Sequence, residues 1–91
     1  MPIRIGKDDG SYEVIACLCD DDWELPGQLY ALEAWLTDNV ASLPDCGAIA
    51  DIGFSVRPGA FGGGGVLTAE SMRRFADAGV SIWFSEYPAG D

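Results

Sequence analysis

The chain has 91 residues, of which 48% are hydrophobic, enough for one domain with its own core and too many for a wholly disordered chain. It contains no apolar run of about 18 residues or more, the length that a membrane-spanning helix needs. Fifteen acidic residues oppose five basic ones, and this net charge of -10 disfavours direct binding to DNA, RNA or anionic membranes.

The first twenty residues are rich in β-forming side chains. Residues 11–19 (SYEVIACLC) predict a strand, and because both of its faces are largely apolar we expect it to be central in the sheet. Residues 2–6 (PIRIG) predict a short edge strand that ends at the turn 7–10. The N-terminal residues lack the apolar middle of a signal peptide, which indicates a cytoplasmic protein.

Residues 25–43 carry the clearest helical pattern. Leucine and valine recur there at spacings of three and four, which predicts one continuous apolar stripe along a helix. Pro26 suits the first turn and Pro44 marks the stop. The predicted stripe consists of Leu25, Leu29, Leu32, Leu36, Val40 and Leu43.

The second half of the chain predicts two more strands around a second helix. Residues 48–56 and 80–87 have strand composition, and a glycine-rich loop follows the first of them. Thr68 is a suitable N-cap for a helix that ends at Gly79. We expect this helix to bury Met72, Phe75 and Ala76.

The element order is therefore β-α-β-α-β, an α+β or α/β composition. It predicts a single compact domain over residues 1–91, in which two helices cover a small sheet of three or four strands as a two-layer sandwich. The sequence leaves open whether the sheet is parallel or mixed.

Three cysteines and no histidine are present. Structural zinc sites normally use four Cys or His ligands, so Cys17, Cys19 and the distant Cys46 make an incomplete set. Nothing nearby would stabilise a thiolate, because three aspartates follow Cys19 directly. The simpler interpretation is that the segment CLC is the end of a buried strand with ordinary thiols.

A calcium loop is the alternative from a different functional class. Asp20, Asp22 and Glu24 match the alternating ligands at the start of an EF-hand loop. However, Leu25 stands where the loop needs glycine, and Ala31 where it needs a bidentate glutamate. A solvated acidic turn is the competing interpretation.

Enzymatic chemistry is disfavoured. Histidine, the commonest proton carrier, is missing, and no spacing places two carboxylates across a cleft. The run 62–65 precedes a helix but matches neither common phosphate-binding glycine motif. We therefore expect no catalytic residue, no cofactor and no metal.

The distribution of charge points to a protein partner. No Lys or Arg occurs between Asp8 and Val56, whereas eleven carboxylates do, and Arg57, Arg73 and Arg74 are expected to offset nearby carboxylates. Acidity for solubility alone would not require this exclusion, while steering toward a basic partner would benefit from it. The candidate partner-binding residues are Asp8, Asp9, Asp20, Asp21, Asp22, Glu24, Glu33, Asp38 and Asp45.

Two resemblances bear on the identity of that partner. The segment GGGGVLTAESMRRFADAGVSIWFSEYP, with Trp23 and Leu25 before the long helix, resembles the end of a bacterial family of small domains of unknown function, some linked to toxin immunity. In size and acidity the chain is similar to phage-encoded anti-CRISPR proteins that act as DNA mimics. The resulting hypothesis is a monomeric, non-enzymatic inhibitor in the bacterial cytoplasm that covers a basic, nucleic-acid-binding surface. An immunity protein against a nuclease toxin is the alternative within that class.

Overall fold

A computed structural model describes residues 2–19 and 21–88. Within them the chain forms two helices and a four-stranded sheet, which confirms the predicted small α+β fold. The elements in chain order are β1 (Ile3–Lys7), β2 (Val14–Leu18), α1 (Leu25–Asn39), a short 3₁₀ helix (Val40–Ser42), β3 (Ala48–Ser55), α2 (Ala69–Asp77) and β4 (Val80–Tyr87). The order thus begins with two consecutive strands, whereas the predicted order β-α-β-α-β counted one strand before the first helix and treated residues 2–6 as a short addition to it.

The sheet is mixed and has the strand order β2-β1-β3-β4. β1 pairs antiparallel with both β2 and β3, whereas β3 and β4 pair in parallel through the crossover that contains α2. The backbone N–H of Ala48 donates to the Gly79 carbonyl at 3.0 Å, which fixes the start of β3 beside the end of α2.

The predicted positions of the first two strands are wrong. β1 is a central strand and β2 is an edge strand, the reverse of what the sequence indicated. Apolar residues on both faces suggested a central β2, yet its Val14 and Ile15 are exposed. Only one face of this sheet is covered, so an apolar residue on the other face does not require a neighbouring strand.

The core lies between the sheet and the two helices, all on one side. β1 and β3 present a row of fully buried residues to the helices, because Ile3 pairs with Ile52 and Ile5 with Ala50. From the helix side the core receives buried residues of both helices, namely Leu29, Leu32, Leu36 and Phe75. The predicted two-layer arrangement is therefore confirmed.

Helix α1 keeps most of its predicted stripe. Leu29, Leu32 and Leu36 are buried, while Leu25 and Leu43 pack against the core from either end. Val40 does not, because the chain tightens into the 3₁₀ helix there and leaves this side chain 51% exposed. The helical period of the stripe is lost where the hydrogen-bond pattern changes.

Helix α2 is capped as predicted but buries a different set of residues. The Thr68 hydroxyl accepts a hydrogen bond from the Ser71 N–H at 3.1 Å. Phe75 is buried, but Met72 and Ala76 are exposed and Ser71 lies inward instead. The helix is only nine residues long, and it turns the side of Ser71 and Phe75 toward α1 and the sheet. No helix in residues 2–19 and 21–88 combines the length and apolarity that would be needed to cross a membrane.

Candidate functional site

Six of the predicted acidic residues form two groups, and the first group lies in two neighbouring turns. We call Asp8, Asp9 and Asp45 the turn group; all three are exposed. The Asp8 N–H donates to the Gly47 carbonyl at 3.1 Å, which holds the β1–β2 turn against the turn before β3. Asp9 accepts hydrogen bonds from the Ser11 N–H and hydroxyl, which lower the pKa of Asp9. Its carboxylate is therefore held in the charged form.

The second group precedes α1. We call Asp21, Asp22 and Glu24 the helix-start group; Asp21 and Glu24 are exposed and Asp22 is half-buried. The Asp22 carboxylate accepts a hydrogen bond from the Glu24 N–H at 3.0 Å. The Trp23 carbonyl accepts one from the Ser55 N–H at 2.9 Å, so the segment is tied to the end of β3. Asp20, which was also predicted here, lies outside the described residues.

The sheet separates the two groups. The register of β1 places Ile3 beside Leu18 and Ile52, near the helix-start group, and Lys7 beside Ala48, near the turn group. Four residue steps along the strand correspond to about 14 Å. The predicted residues therefore do not form one surface but two acidic ends of the molecule.

The remaining two predicted residues are on α1. Asp38 is exposed in the last turns of that helix. Glu33 is half-buried and accepts a hydrogen bond from the Ser71 hydroxyl of α2. Glu33 thus joins the two helices, and its carboxylate is less available to a partner than the others.

Cations do little to offset this acidity. Among the described residues the ion pair is that between Lys7 and Glu13, at 3.4 Å. None of the three arginines expected to offset nearby carboxylates forms an ion pair among the described residues: Arg74 donates to the Thr37 hydroxyl at 2.5 Å, and Arg57 to the Gly62 carbonyl at 3.4 Å. Arg73 is exposed. Within residues 2–19 and 21–88, direct ion pairing therefore neutralises little of the negative charge.

The metal alternative depends on Asp20, Asp22 and Glu24. Within residues 2–19 and 21–88, no three Cys, Asp or Glu side chains are grouped so that they could hold a metal ion. Asp22 is already engaged with the backbone of Glu24. Cys17 and Cys19 are not arranged as predicted either, because β2 ends at Leu18 and Cys19 has a left-handed φ of 59°. Both are half-buried, not fully buried.

A further feature was not predicted from the sequence: one face of the sheet is open. Across its middle runs a row of four residues on four adjacent strands, which we call the central row. Arg4 is paired in register with Cys17 on one side and with Asp51 on the other, and Asp51 is paired with Trp83. The central row therefore consists of Cys17, Arg4, Asp51 and Trp83, all on the face away from the helices.

The two charges of the central row are adjacent but not joined. The Asp51 carboxylate accepts a hydrogen bond from the Ser85 hydroxyl at 2.6 Å. Within the part of the chain that the structure describes, the Arg4 side chain has no ion pair, although the strand register places it directly beside Asp51. An arginine that faces solvent from the middle of a sheet retains all its hydrogen-bond donors for another molecule.

One aromatic pair includes Trp83 of the central row, and a second lies toward the end of β4. The rings of Tyr12 and Trp83 lie 5.8 Å apart, and those of Trp23 and Tyr87 lie 5.6 Å apart edge to face. Two grooves of about 280 and 510 Å³ lie between them and share Arg4 and Asp51 as lining residues. Exposed aromatic rings around a small polar centre are typical of a surface that contacts another molecule.

Comparisons of the chain with protein-family models, with curated proteins and with solved structures gave no match. The acidic residues were found from composition, whereas the open face was missed because its residues are far apart in the chain. The signal that could have found it is the alternation in IRIGK and AIADIGFS, in which Arg4 and Asp51 interrupt the buried residues of the two strands.

Proposed function

We propose that the protein is a non-enzymatic inhibitor that binds a basic, nucleic-acid-binding surface of a partner protein in the bacterial cytoplasm. The observation that carries this proposal is the uncompensated acidity of the chain, with two exposed acidic groups at opposite ends of the sheet. A field of one sign accelerates association with an oppositely charged surface and disfavours other partners.

The charge density supports mimicry of one nucleic-acid strand. The molecule extends 41 Å along its longest axis and carries a net charge of -10, so there is one net charge for each 4.1 Å (41 divided by 10). Duplex DNA carries one charge per about 1.7 Å, and each of its strands one per about 3.4 Å. Averaged over all its surfaces, the protein therefore approaches the charge density of a single strand and not that of a duplex, and we propose a partner whose groove holds one strand at a time.

A CRISPR nuclease complex is the partner that we favour, which would make the protein an anti-CRISPR DNA mimic. A nuclease toxin, neutralised by an immunity protein, is the alternative partner of the same chemistry. Both hold nucleic acid in a basic channel, so both are consistent with the two acidic groups. Purified complexes of the two kinds are therefore the probes for the first binding experiment.

The test measures binding of the full chain to these probes by calorimetry, and the loss of their nucleic-acid binding by gel shift. We expect the affinity to fall steeply as NaCl rises past about 0.15 M, where charges on the surface are screened beyond about 8 Å. The fall of log K with log salt should be linear, and its slope should decrease when acidic contacts are removed.

Two variants separate the acidic groups. The first neutralises the helix-start group by Asp21→Asn, Asp22→Asn and Glu24→Gln, and the second neutralises the turn group by Asp8→Asn, Asp9→Asn and Asp45→Asn. Asparagine keeps the side-chain oxygen with which Asp9 and Asp22 accept backbone hydrogen bonds, so both variants should fold. Asp77→Asn with Glu70→Gln, both exposed on α2 and neither a candidate binding residue, is the control for general charge.

We expect at least one of the two variants to bind the probe about 10-fold or more weakly than the wild type does. The control variant should bind with nearly the affinity of the wild type. The proposal is wrong if neither variant changes binding or its salt dependence, or if no basic nucleic-acid-binding probe binds the wild-type chain at low salt.

A further inference from the structure

The open face of the sheet differs from the rest of the surface in its charge. Its lining residues include one cation and one carboxylate, Arg4 and Asp51, so that its net charge is zero on a molecule of net charge -10. Aromatic side chains on this face are left about half exposed, including Trp83 at 46% and Tyr87 at 49%. A solvated sheet face normally carries polar residues, so these rings indicate a surface that becomes covered.

From this face we infer that the protein forms a homodimer in which two copies pack sheet against sheet through their open faces, with Arg4 of each copy paired to Asp51 of the other. The inference is independent of the proposed inhibitor function, and it replaces the monomer expected from the sequence.

The geometry of the central row carries this inference. The strand order β2-β1-β3-β4 places Arg4 and Asp51 on the two middle strands, symmetrically about the centre of the sheet. A two-fold axis that runs along the strands between β1 and β3 superposes the whole sheet on its copy. It sets Arg4 against Asp51 of the second copy, Asp51 against its Arg4, and Trp83 against its Cys17.

The dimensions of the face are compatible with such a dimer. Sheets pack about 10 Å apart, a distance that an arginine and an aspartate side chain can span together. Two strands of five residues and two of eight give roughly 420 Å² of flat area, before the relief of the side chains is added. Stable interfaces bury about 600–1,000 Å² per partner, so the dimer would lie at the weak end, with a dissociation constant in the micromolar range.

Charge argues for a second copy in this position. Two molecules of net charge -10 repel each other, and because the two-fold axis runs along the strands, each acidic group lies at the same end as its copy, so this repulsion limits the affinity of the dimer. On the open face the only charges that meet are the complementary ones of Arg4 and Asp51 among the described lining residues. A strongly basic partner would instead face an unpaired Arg4 there, which disfavours it as the occupant.

The first test is sedimentation equilibrium of the full chain at rising concentration. We expect the mass to rise from 9.7 kDa toward about 19 kDa, which is twice the mass of the chain. Higher NaCl should strengthen the dimer, because it screens the repulsion between the copies, whereas it should weaken binding to a basic partner. A chain that remains at 9.7 kDa up to about 0.5 mM, at low and at high salt, would overturn the inference.

The sharper test uses two charge variants that can complement only each other. Arg4→Glu leaves two negative charges in the central row, and Asp51→Arg leaves two positive ones. Each variant alone should raise the dissociation constant of its homodimer at least about 10-fold, because like charges then oppose one another. An equimolar mixture should form a heterodimer, in which each charge again meets its opposite.

The controls are Arg73→Glu and Asp38→Arg, which make the same changes at exposed positions of the helices. They should leave self-association unchanged. Thermal unfolding checks that each variant folds. Failure of the folded mixture to associate would contradict the pairing of Arg4 with Asp51.

A pair of aromatic variants keeps the inference testable if Asp51→Arg does not fold. Trp83→Ala should raise the dissociation constant of the dimer about 10-fold or more, whereas Tyr30→Ala, which removes a ring that is 78% exposed on α1, should have no effect. Equal effects of the two variants would place the contact elsewhere. If Trp83→Ala weakens binding of a nucleic-acid-binding probe while the wild type remains a monomer, the face belongs to that partner and the inference is wrong.

Discussion

Gln28 is the polar side chain that fastens the start of α1 to the sheet. It is fully buried, and its amide donates to the Asp22 carbonyl at 2.9 Å and to the Gly53 carbonyl at 2.6 Å. Its Oε1 atom has no partner within the described residues. Through these two donated hydrogen bonds Gln28 fixes the helix-start group next to the end of β3.

Replacing this amide should destabilise the fold. Gln28→Met keeps the length of the side chain but removes both hydrogen bonds, and we expect the free energy of unfolding to fall by about 1–3 kcal/mol. The unpartnered oxygen is removed as well, which limits the loss. Urea unfolding measures the change, and Ser42→Ala, which removes an exposed hydrogen bond of 3.3 Å to Asn39, should cost less than about 0.5 kcal/mol. A loss for Gln28→Met no larger than that for Ser42→Ala would show that the two donors do not stabilise the junction.

Asp9 gives a prediction on pH. The hydrogen bonds from the Ser11 hydroxyl and N–H lower the pKa of Asp9, so the folded state holds its carboxylate charged. A lowered pKa in the folded state contributes stability that is present above the unfolded value and is lost as the pH falls through the folded value. Carboxyl NMR titration should show a pKa for Asp9 below 3.8, and Ser11→Ala should raise it toward that value. An unchanged pKa in Ser11→Ala would assign the shift to another cause.

At the scale of the elements, two turns meet where β3 begins, and Gly47 is the point of contact. Gly47 and Gly10 both have a φ of 86°, a left-handed conformation that side chains rarely adopt. A Cβ at Gly47 would lie 2.7 Å from the Gly79 carbonyl oxygen, whereas a Cβ at Gly10 would meet nothing within 4 Å. The two glycines therefore share the backbone strain and differ in the space around them.

This difference can be measured by alanine substitution. Gly10→Ala should cost about 1 kcal/mol from the left-handed backbone alone. Gly47→Ala should cost about 2–4 kcal/mol, because the turn must also move away from the end of α2. Chemical unfolding of both variants gives the comparison. Equal losses would mean that the junction between the turn of Gly47 and the end of α2 can shift freely.

The elements themselves could be predicted to a large extent from the sequence, but their places in the sheet could not. The bounds of β4 and the cap at Thr68 follow from local composition and are confirmed. Local composition does not show that β1 is central and β2 is at the edge, because strand order depends on pairing between distant segments. The prediction that Met72 is buried was wrong for a related reason. The apolar pattern of a short helix is compatible with more than one rotation of the helix about its axis.

At the scale of the whole molecule, the candidate site also combines a property that local composition predicts with an arrangement that depends on distant segments. Charge is a property of composition, so the acidic residues could be predicted, and most of those described are exposed. Their division into two groups could not, because it depends on the register that places Ile3 beside Ile52 and Lys7 beside Ala48. Nor could the central row, in which Arg4 and Asp51 are 47 positions apart (51 minus 4).

The net charge of -10 also predicts how the stability of the molecule responds to salt. Eleven carboxylates in a stretch without cations repel one another in the folded state, and Lys7–Glu13 is the ion pair that offsets them within the described residues. Raising NaCl from about 0.01 M to 0.5 M shortens the screening length from about 30 Å to less than 8 Å, so the free energy of unfolding should rise by about 1–2 kcal/mol. Urea is the suitable denaturant because it adds no ions.

The variant with a neutralised helix-start group should show a smaller rise, since three of the repelling charges are gone. Measurements at two protein concentrations separate this effect from self-association, because repulsion within one chain does not depend on concentration. If unfolding is independent of salt at both concentrations, the carboxylates do not destabilise the folded chain. The absence of lysine and arginine from 49 consecutive positions would then not lower the stability of the fold, and no function would be needed to explain such a loss.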